Sequence, residues 1–150
     1  MKLRQAISAV VFKKNKFLMI SGKGWPKNSW AFPQGGINED EKPIQAVIRE
    51  LLEEFGTDQF RIIQKCSIEH TYYFPEEIKK KKGFDGQKQT IWFVEFIGDE
   101  SELMLNTKEL SQMSWFNEAE VVPNMKFTEQ KETFAKVLDE LRILRIKKPF

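Results

Sequence analysis

Residues 35–57, GGINEDEKPIQAVIRELLEEFGT, constrain this chain more than any other stretch. Ile44, Val47, Ile48, Leu51, Leu52 and Phe55 follow one another at the spacing of one face of an amphipathic helix. Pro43 suits a first helical turn and Gly56 the position just past the last, so a helix is expected from about Pro43 to Phe55. At ~100° per residue the apolar side chains gather on one arc. Glu50, Glu53 and Glu54 fall on another, more than a right angle away. Side chains at i, i+3 and i+4 are neighbours on a helix surface, so these carboxylates repel one another unless something neutralises them. A divalent cation does that, and hard cations prefer oxygen donors. A Glu-rich face standing alone is more often solvated surface. Here Gly35 and Gly36 permit close approaches that side chains forbid. Glu41 and Arg49, opposite in charge, are placed to pair and hold this loop against the helix.

The rest of the chain reads as one folded domain over residues 1–150. Its 150 residues are 41% hydrophobic and 31% charged, with thirteen Phe and four Trp, enough for one core and too ordered a composition for a disordered chain. No apolar run approaches the ~20 residues that span a bilayer, so no membrane association is expected. The opening MKLRQAISAVVF has no small-residue cleavage site, and there is a single cysteine, Cys66, so a cytoplasmic location is expected. With one cysteine and one histidine, His70, a multi-cysteine zinc site is excluded. A metal site would be built from carboxylates, which favours magnesium, manganese or calcium. Net charge is only +2, so overall charge does not announce a nucleic-acid binder. Cys66 reads as a buried small hydrophobe and His70 as a strand residue with a structural hydrogen bond.

Strands are expected over Arg4–Phe12 and Lys16–Ile20, joined by a turn at Asn15, with a short strand at Trp30–Phe32 before a Pro33-Gln34-Gly35-Gly36 turn. Phe60–Phe74 reads as extended, in one or two strands, residues 75–89 as a polar loop with a lysine run, Thr90–Ile97 as an apolar strand and Ser114–Phe116 as a short one. A last helix is expected over Thr128–Ile146, with Thr128 as its N-cap and Phe134, Val137, Leu138 and Leu141 facing inward. Strands on both sides of one internal helix, plus a terminal helix, give α+β or α/β/α with a mixed sheet.

The fixed positions of the 35–57 segment are Gly35, Glu41, Arg49-Glu50-Leu51, Glu53-Glu54 and Gly56. This pattern resembles the Nudix box of the Nudix hydrolase superfamily. Only Thr57 departs, standing where an aliphatic residue is usual. The resemblance implies an α+β fold, an α/β/α sandwich with a mixed, curled β-sheet. It also implies metal-dependent hydrolysis of a diphosphate linked to another group, by water attack on phosphorus. It assigns Glu50, Glu53 and Glu54 as metal ligands, adds Gly35 to the metal site, gives Arg49 a catalytic part, and makes Mg2+ the expected cofactor with Mn2+ as its substitute. Glu50, Glu53 and Glu109 are each open as the general base.

Trp30-Ala31-Phe32-Pro33-Gln34-Gly35-Gly36-Ile37 resembles the lead-in of one Nudix subgroup, which holds RNA 5′ pyrophosphohydrolases and the bacterial and plant type of diadenosine tetraphosphate hydrolases. Gly86-Gln87-Lys88-Gln89 ahead of Trp92-Phe93 resembles that subgroup's G-Q-K-Q-x-W-F stretch, one residue out of step. Glu109, six residues before Trp115, matches a further metal ligand. Arg4, Gln87, Lys88, Tyr72 and Phe127 are the expected substrate contacts, Arg4 and above all Lys88 for phosphates and Phe127 for a nucleobase. Lys79–Lys82 replace the Arg- and Trp-containing loop of the better-known RNA enzymes. Such a charge run is most often solvated, although near an anionic chain it raises affinity. The expected substrates are dinucleoside polyphosphates, diadenosine tetraphosphate first, with triphosphorylated or diphosphorylated RNA 5′ ends close behind, because no long basic tail follows Lys147. Nucleoside triphosphates or nucleotide sugars are the next reading, and a non-catalytic nucleotide-binding module the last. The sequence leaves the oligomeric state open.

Overall fold

The computed structural model describes residues 1–149. The central strand β1 (Leu3–Lys13) has every residue from Ala6 to Phe12 buried, as expected of a strand covered on both faces. It runs antiparallel to β2 (Lys16–Gly22) and parallel to β5 (Gly86–Phe96). The sheet order is β4 (Phe60–Tyr73), β5, β1, β2, β6 (Leu110–Asn117), and a short β3 (Gln34–Gly36) pairs with β1 off that path. It is a mixed, curled and unclosed six-stranded sheet.

Helix α1 (Pro43–Phe55) covers one face, burying Ala46, Val47, Leu51 and Phe55 against Ile7, Ala9 and Val11. The other face packs on α4 (Thr128–Lys147), where Phe134, Val137, Leu138 and Leu141 meet Val10, Phe12 and Phe93. The α+β, α/β/α reading therefore holds. Alternation along β1 and β5 feeds both cores at once. The charged α2 (Glu76–Lys82) bridges β4 and β5, and a one-turn α3 (Glu118–Val121) follows β6.

Several boundaries differ from the sequence expectations. The Pro33–Gly36 turn is in part strand β3, because Gly35 and Gln34 lie opposite Ile7 and Ser8 of β1. The polar loop over 75–89 contains α2 and the first residues of β5. Phe60–Tyr73 is one strand bent at two register shifts. Trp30–Phe32 contributes only isolated bridges, Ala31 to Ile20 and Trp30 to Met125. Phe127, not Thr128, holds the N-cap position of α4, without a side-chain cap. On α1 the apolar arc is only half used, since Ile44, Ile48 and Leu52 remain exposed. Cys66 is buried, and burial pushes its thiol up to about 12. His70 Nδ1 pairs with the Thr133 hydroxyl at 3.1 Å, as a structural residue should.

Candidate active site

Two adjoining cavities share Glu50, Glu54 and Glu109. One, of about 280 Å3, is also lined by Glu53, Asn106 and Lys108. The other, of about 340 Å3, runs on past Gln34, Gly35 and Gly36 to Arg4, Tyr72, Gln87 and Lys82. The cleft is therefore acidic at one end and cationic at the other.

The acidic end is set by α1 and its lead-in. Gly56 closes the helix in the left-handed region (φ 68°), its N–H donating to Leu52 O at 2.9 Å. Arg49 ties the helix to the preceding loop. Its Nε and Nη2 donate to the two oxygens of Glu41 at 2.8 and 2.9 Å. Nη2 also reaches Gly36 O, and Nη1 reaches Glu50 Oε1, both at 2.8 Å. This bidentate pairing with Arg49 holds the Glu41 carboxyl down at about 2 and raises the Arg49 guanidinium further. Glu41 Oε1 also accepts from the Asn38 N–H at 2.9 Å. Thus Arg49 and Glu41 brace the loop, and Arg49 steers Glu50.

The carboxylates differ in environment. Burial raises the Glu50 carboxyl, against the opposing pull of Arg49. Glu54 is more extreme: burial first, then the charges of Glu50, Glu53 and Glu109, push it to about 8. Its Oε2 is buried without a hydrogen-bond partner among the described residues. Glu53 is half exposed, 3.5 Å from Arg49. A buried, unpartnered carboxylate oxygen beside three more acids fits a hard divalent cation. Among the described residues no three acids already form a closed ion cage. Magnesium does not require one, since it binds through one or two carboxylates and fills its remaining positions with water and phosphate oxygens.

The glycines of β3 are spatially required. A Cβ on Gly35 would collide with the Glu50 carboxyl, and one on Gly36 with the Arg4 guanidinium. At the cationic end Arg4 Nη1 donates to Gln87 Oε1 at 2.9 Å. Gln87 is buried, on β5 opposite Arg4 of β1 and Tyr72 of β4. Burial raises the Tyr72 phenol.

Of the expected site residues, Glu50, Glu53, Glu54, Glu109, Gly35, Arg4, Gln87 and Tyr72 line this cleft, and Arg49 braces it. Two are not gathered there. Lys88 alternates with Gln87 along β5, so its side chain leaves the opposite face and pairs with Glu69 at 3.1 Å. Phe127 lies at the start of α4, edge-on to Trp25 at 6.5 Å, with the Lys126 ammonium over both rings. The Lys23 N–H donates to Glu109 O at 2.9 Å, so the loop carrying Trp25 begins beside the acidic end.

The sequence names Gln34, Gly36 and Lys82 within motifs without making any of them an individual site contact. Gln34 accepts from Gln89 Nε2, a partly buried contact between β3 and β5 that a turn assignment hides. The close approach expected at Gly36 proves to be that of Arg4 and Arg49. Lys82 was concealed in a uniform lysine run.

A family model described as NUDIX domain matches residues 2–138. The chain is 32% identical to an RNA pyrophosphohydrolase of Bartonella bacilliformis, over 93% of this chain and 91% of that protein. It is 38% identical to an RNA pyrophosphohydrolase of Nitratiruptor sp., over 81% of this chain and 79% of that one. Among solved structures, the E. coli dihydroneopterin triphosphate pyrophosphohydrolase superposes with a TM-score of 0.70 at 15% identity, covering 91% of this chain and 97% of that one, which shows a shared fold.

Proposed function

The chain belongs to the Nudix family and is a Nudix hydrolase, and from that premise we propose that it is a magnesium-dependent pyrophosphohydrolase of RNA 5′ ends. The observation that carries this reading is the cleft itself. Glu50, Glu54 and Glu109 stand at one end and Arg4 with Gln87 and Tyr72 at the other, in one continuous space. A 5′ polyphosphate is a run of anionic groups ending in an aromatic base, and it needs this succession of partners. The similarity to RNA pyrophosphohydrolases over most of both chains supports RNA as the substrate class.

In this reading Glu50, Glu53, Glu54 and Glu109 hold the cation, with Mn2+ able to replace Mg2+. A bound divalent metal neutralises phosphoryl oxygens and lowers the pKa of a bound water. Arg49, fixed by Glu41, sets the direction of Glu50. The small Gly35 leaves room for that carboxyl beside β3. Arg4, held by Gln87, meets the phosphates, and Tyr72 borders the nucleoside. The oxygen of water attacks phosphorus, a P–O–P bond breaks, and the leaving phosphate departs with the bonding pair. The proton of the water passes to Glu50, Glu53 or Glu109, all of which face the same space.

Dinucleoside polyphosphates remain a second reading because Trp30–Ile37 is the lead-in shared by both kinds of subgroup member. The test offers a short 5′-triphosphate RNA and diadenosine tetraphosphate in parallel, with magnesium and with a Glu53→Gln control. The expected outcome is conversion of the RNA to a 5′ monophosphate at a kcat/KM above that for the dinucleotide, with both lost in the control. Efficient production of ATP and AMP with untouched RNA would move the assignment to dinucleoside polyphosphates. Among the described residues no helix is long and apolar enough to cross a membrane.

A further inference from the structure

We propose that Lys82 is a second phosphate-binding cation of this cleft, and that it grips the part of the polyphosphate chain lying beyond the metal-held phosphate. The inference rests on the polyphosphate reading above and extends it to a residue in the lysine run.

Two observations single out Lys82 from its neighbours. First, it lines the cleft together with Arg4, Tyr72 and Gln87; Lys80 and Lys81 do not. Second, its place is fixed. Lys82 is the last residue of α2, and Gly83, in the left-handed region at φ 74°, turns the chain straight after it. The excursion that carries α2 is clamped at its base. Phe74 N–H donates to Asp85 O at 2.9 Å, Asp85 N–H to Lys2 O at 2.8 Å, and Lys2 N–H to Asp85 Oδ2 at 2.7 Å. These bonds tie it to Lys2, just ahead of β1 and two residues from Arg4. The Lys82 ammonium lies 5.1 Å from the ring centre of Phe74, itself buried, a cation–π contact that orients it. Its ammonium faces the Phe74 ring and, like those of Lys80 and Lys81, makes no ion pair among the described residues, whereas Lys79 pairs with Glu76 at 3.2 Å.

Charge balance gives the residue its task. A cation held at the acidic end would accommodate the phosphate under attack, but the remaining phosphates of a triphosphate are each anionic and need partners of their own. Arg4 already spends Nη1 on Gln87 and is hemmed in by Gly36. A Lys ammonium is a compact charge on a flexible stem, and it can follow a phosphate without the bidentate geometry that Arg requires. Both Lys80 and Lys82 are exposed, and what separates them is that Lys80 lies outside the cleft.

The test measures binding of inorganic tripolyphosphate by titration calorimetry in magnesium buffer, for the parent, Lys82→Ala, Lys82→Arg and Lys80→Ala, alongside kcat and KM for a 5′-triphosphate RNA. Loss of a charged hydrogen bond predicts about 10-fold weaker tripolyphosphate binding in Lys82→Ala. Lys82→Arg should recover most of it and Lys80→Ala should match the parent. KM for the RNA should rise while kcat holds, and the salt dependence of binding should flatten in Lys82→Ala. Unchanged tripolyphosphate binding in Lys82→Ala would overturn the proposal. So would an equal loss in Lys80→Ala, which would mark a diffuse field, or no binding by the parent. If no version turns over the RNA while Lys82→Ala still weakens tripolyphosphate, the assignment of Lys82 stands and the RNA reading falls.

Discussion

Among single residues, Glu54 carries the largest conflict between stability and use. Its carboxyl is buried, its Oε2 unpartnered, and its proton held up to about pH 8. The folded, metal-free protein keeps this proton while the unfolded chain releases it near the ordinary carboxylate range. The stabilisation from proton uptake is therefore complete below about pH 4.5 and is lost as pH rises toward 8. Glu54→Gln removes that dependence. In chelator, its melting temperature should fall less than the parent's between pH 5 and pH 8, while hydrolysis drops by at least about 100-fold. An equal fall in both proteins would show that Glu54 is not the titrating group. Arg49→Lys should cost about 10–100-fold in activity, because one ammonium cannot serve both Glu41 oxygens, Gly36 O and Glu50 together. The check is kcat/KM with magnesium. Glu50, Glu53, Glu54, Arg49 and Glu41 were legible in the sequence because helix geometry fixes side chains three and four apart. Arg4 and Gln87 were placed by resemblance alone, since only the β1–β5 pairing brings them together. Lys88 lies outside the cleft through strand parity: a neighbour of Gln87 in sequence leaves the other face of the sheet and pairs with Glu69.

At the level of elements, α1 shows what local signals can settle. Pro43 and Gly56 mark its ends, and the structure gives Pro43–Phe55. Gly56 adopts a positive φ that an L side chain rarely takes, so Gly56→Ala should destabilise the protein by about 1–2 kcal/mol, measured by urea denaturation. An unchanged midpoint would mean that the helix end relaxes freely. The signals fail where an element depends on distant partners or lacks apolar periodicity. Two of the three residues of β3 are glycine, and its strand character comes entirely from β1. The charged α2 buries none of its residues and so offers no hydrophobic period to read. The start of β5 was missed because Gln87 and Gln89, although buried, look like loop residues.

Over the whole molecule, the site is a seam between two cores. The α1 core fixes the acidic helix, and the α4 core backs the sheet face that carries Tyr72 and Gln87. Phe134→Ala, in the α4 core, should cost about 3–5 kcal/mol in urea denaturation. A loss under about 1 kcal/mol would show that α4 is not packed as described. The sandwich was legible from the alternation of strands and helices, but the sheet order was not, because a parallel β1–β5 pair joins segments more than 80 residues apart. The central claim is that one cleft receives a metal at its acidic end and a polyphosphate at its cationic end. The most direct test is a crystal structure grown with Mn2+ and a non-hydrolysable 5′-triphosphate nucleotide, with manganese located by anomalous scattering. The account predicts manganese bound to Glu54 and at least one of Glu50, Glu53 and Glu109, with the phosphate chain running toward Arg4. Manganese on another surface, or a nucleotide bound away from α1, would contradict it.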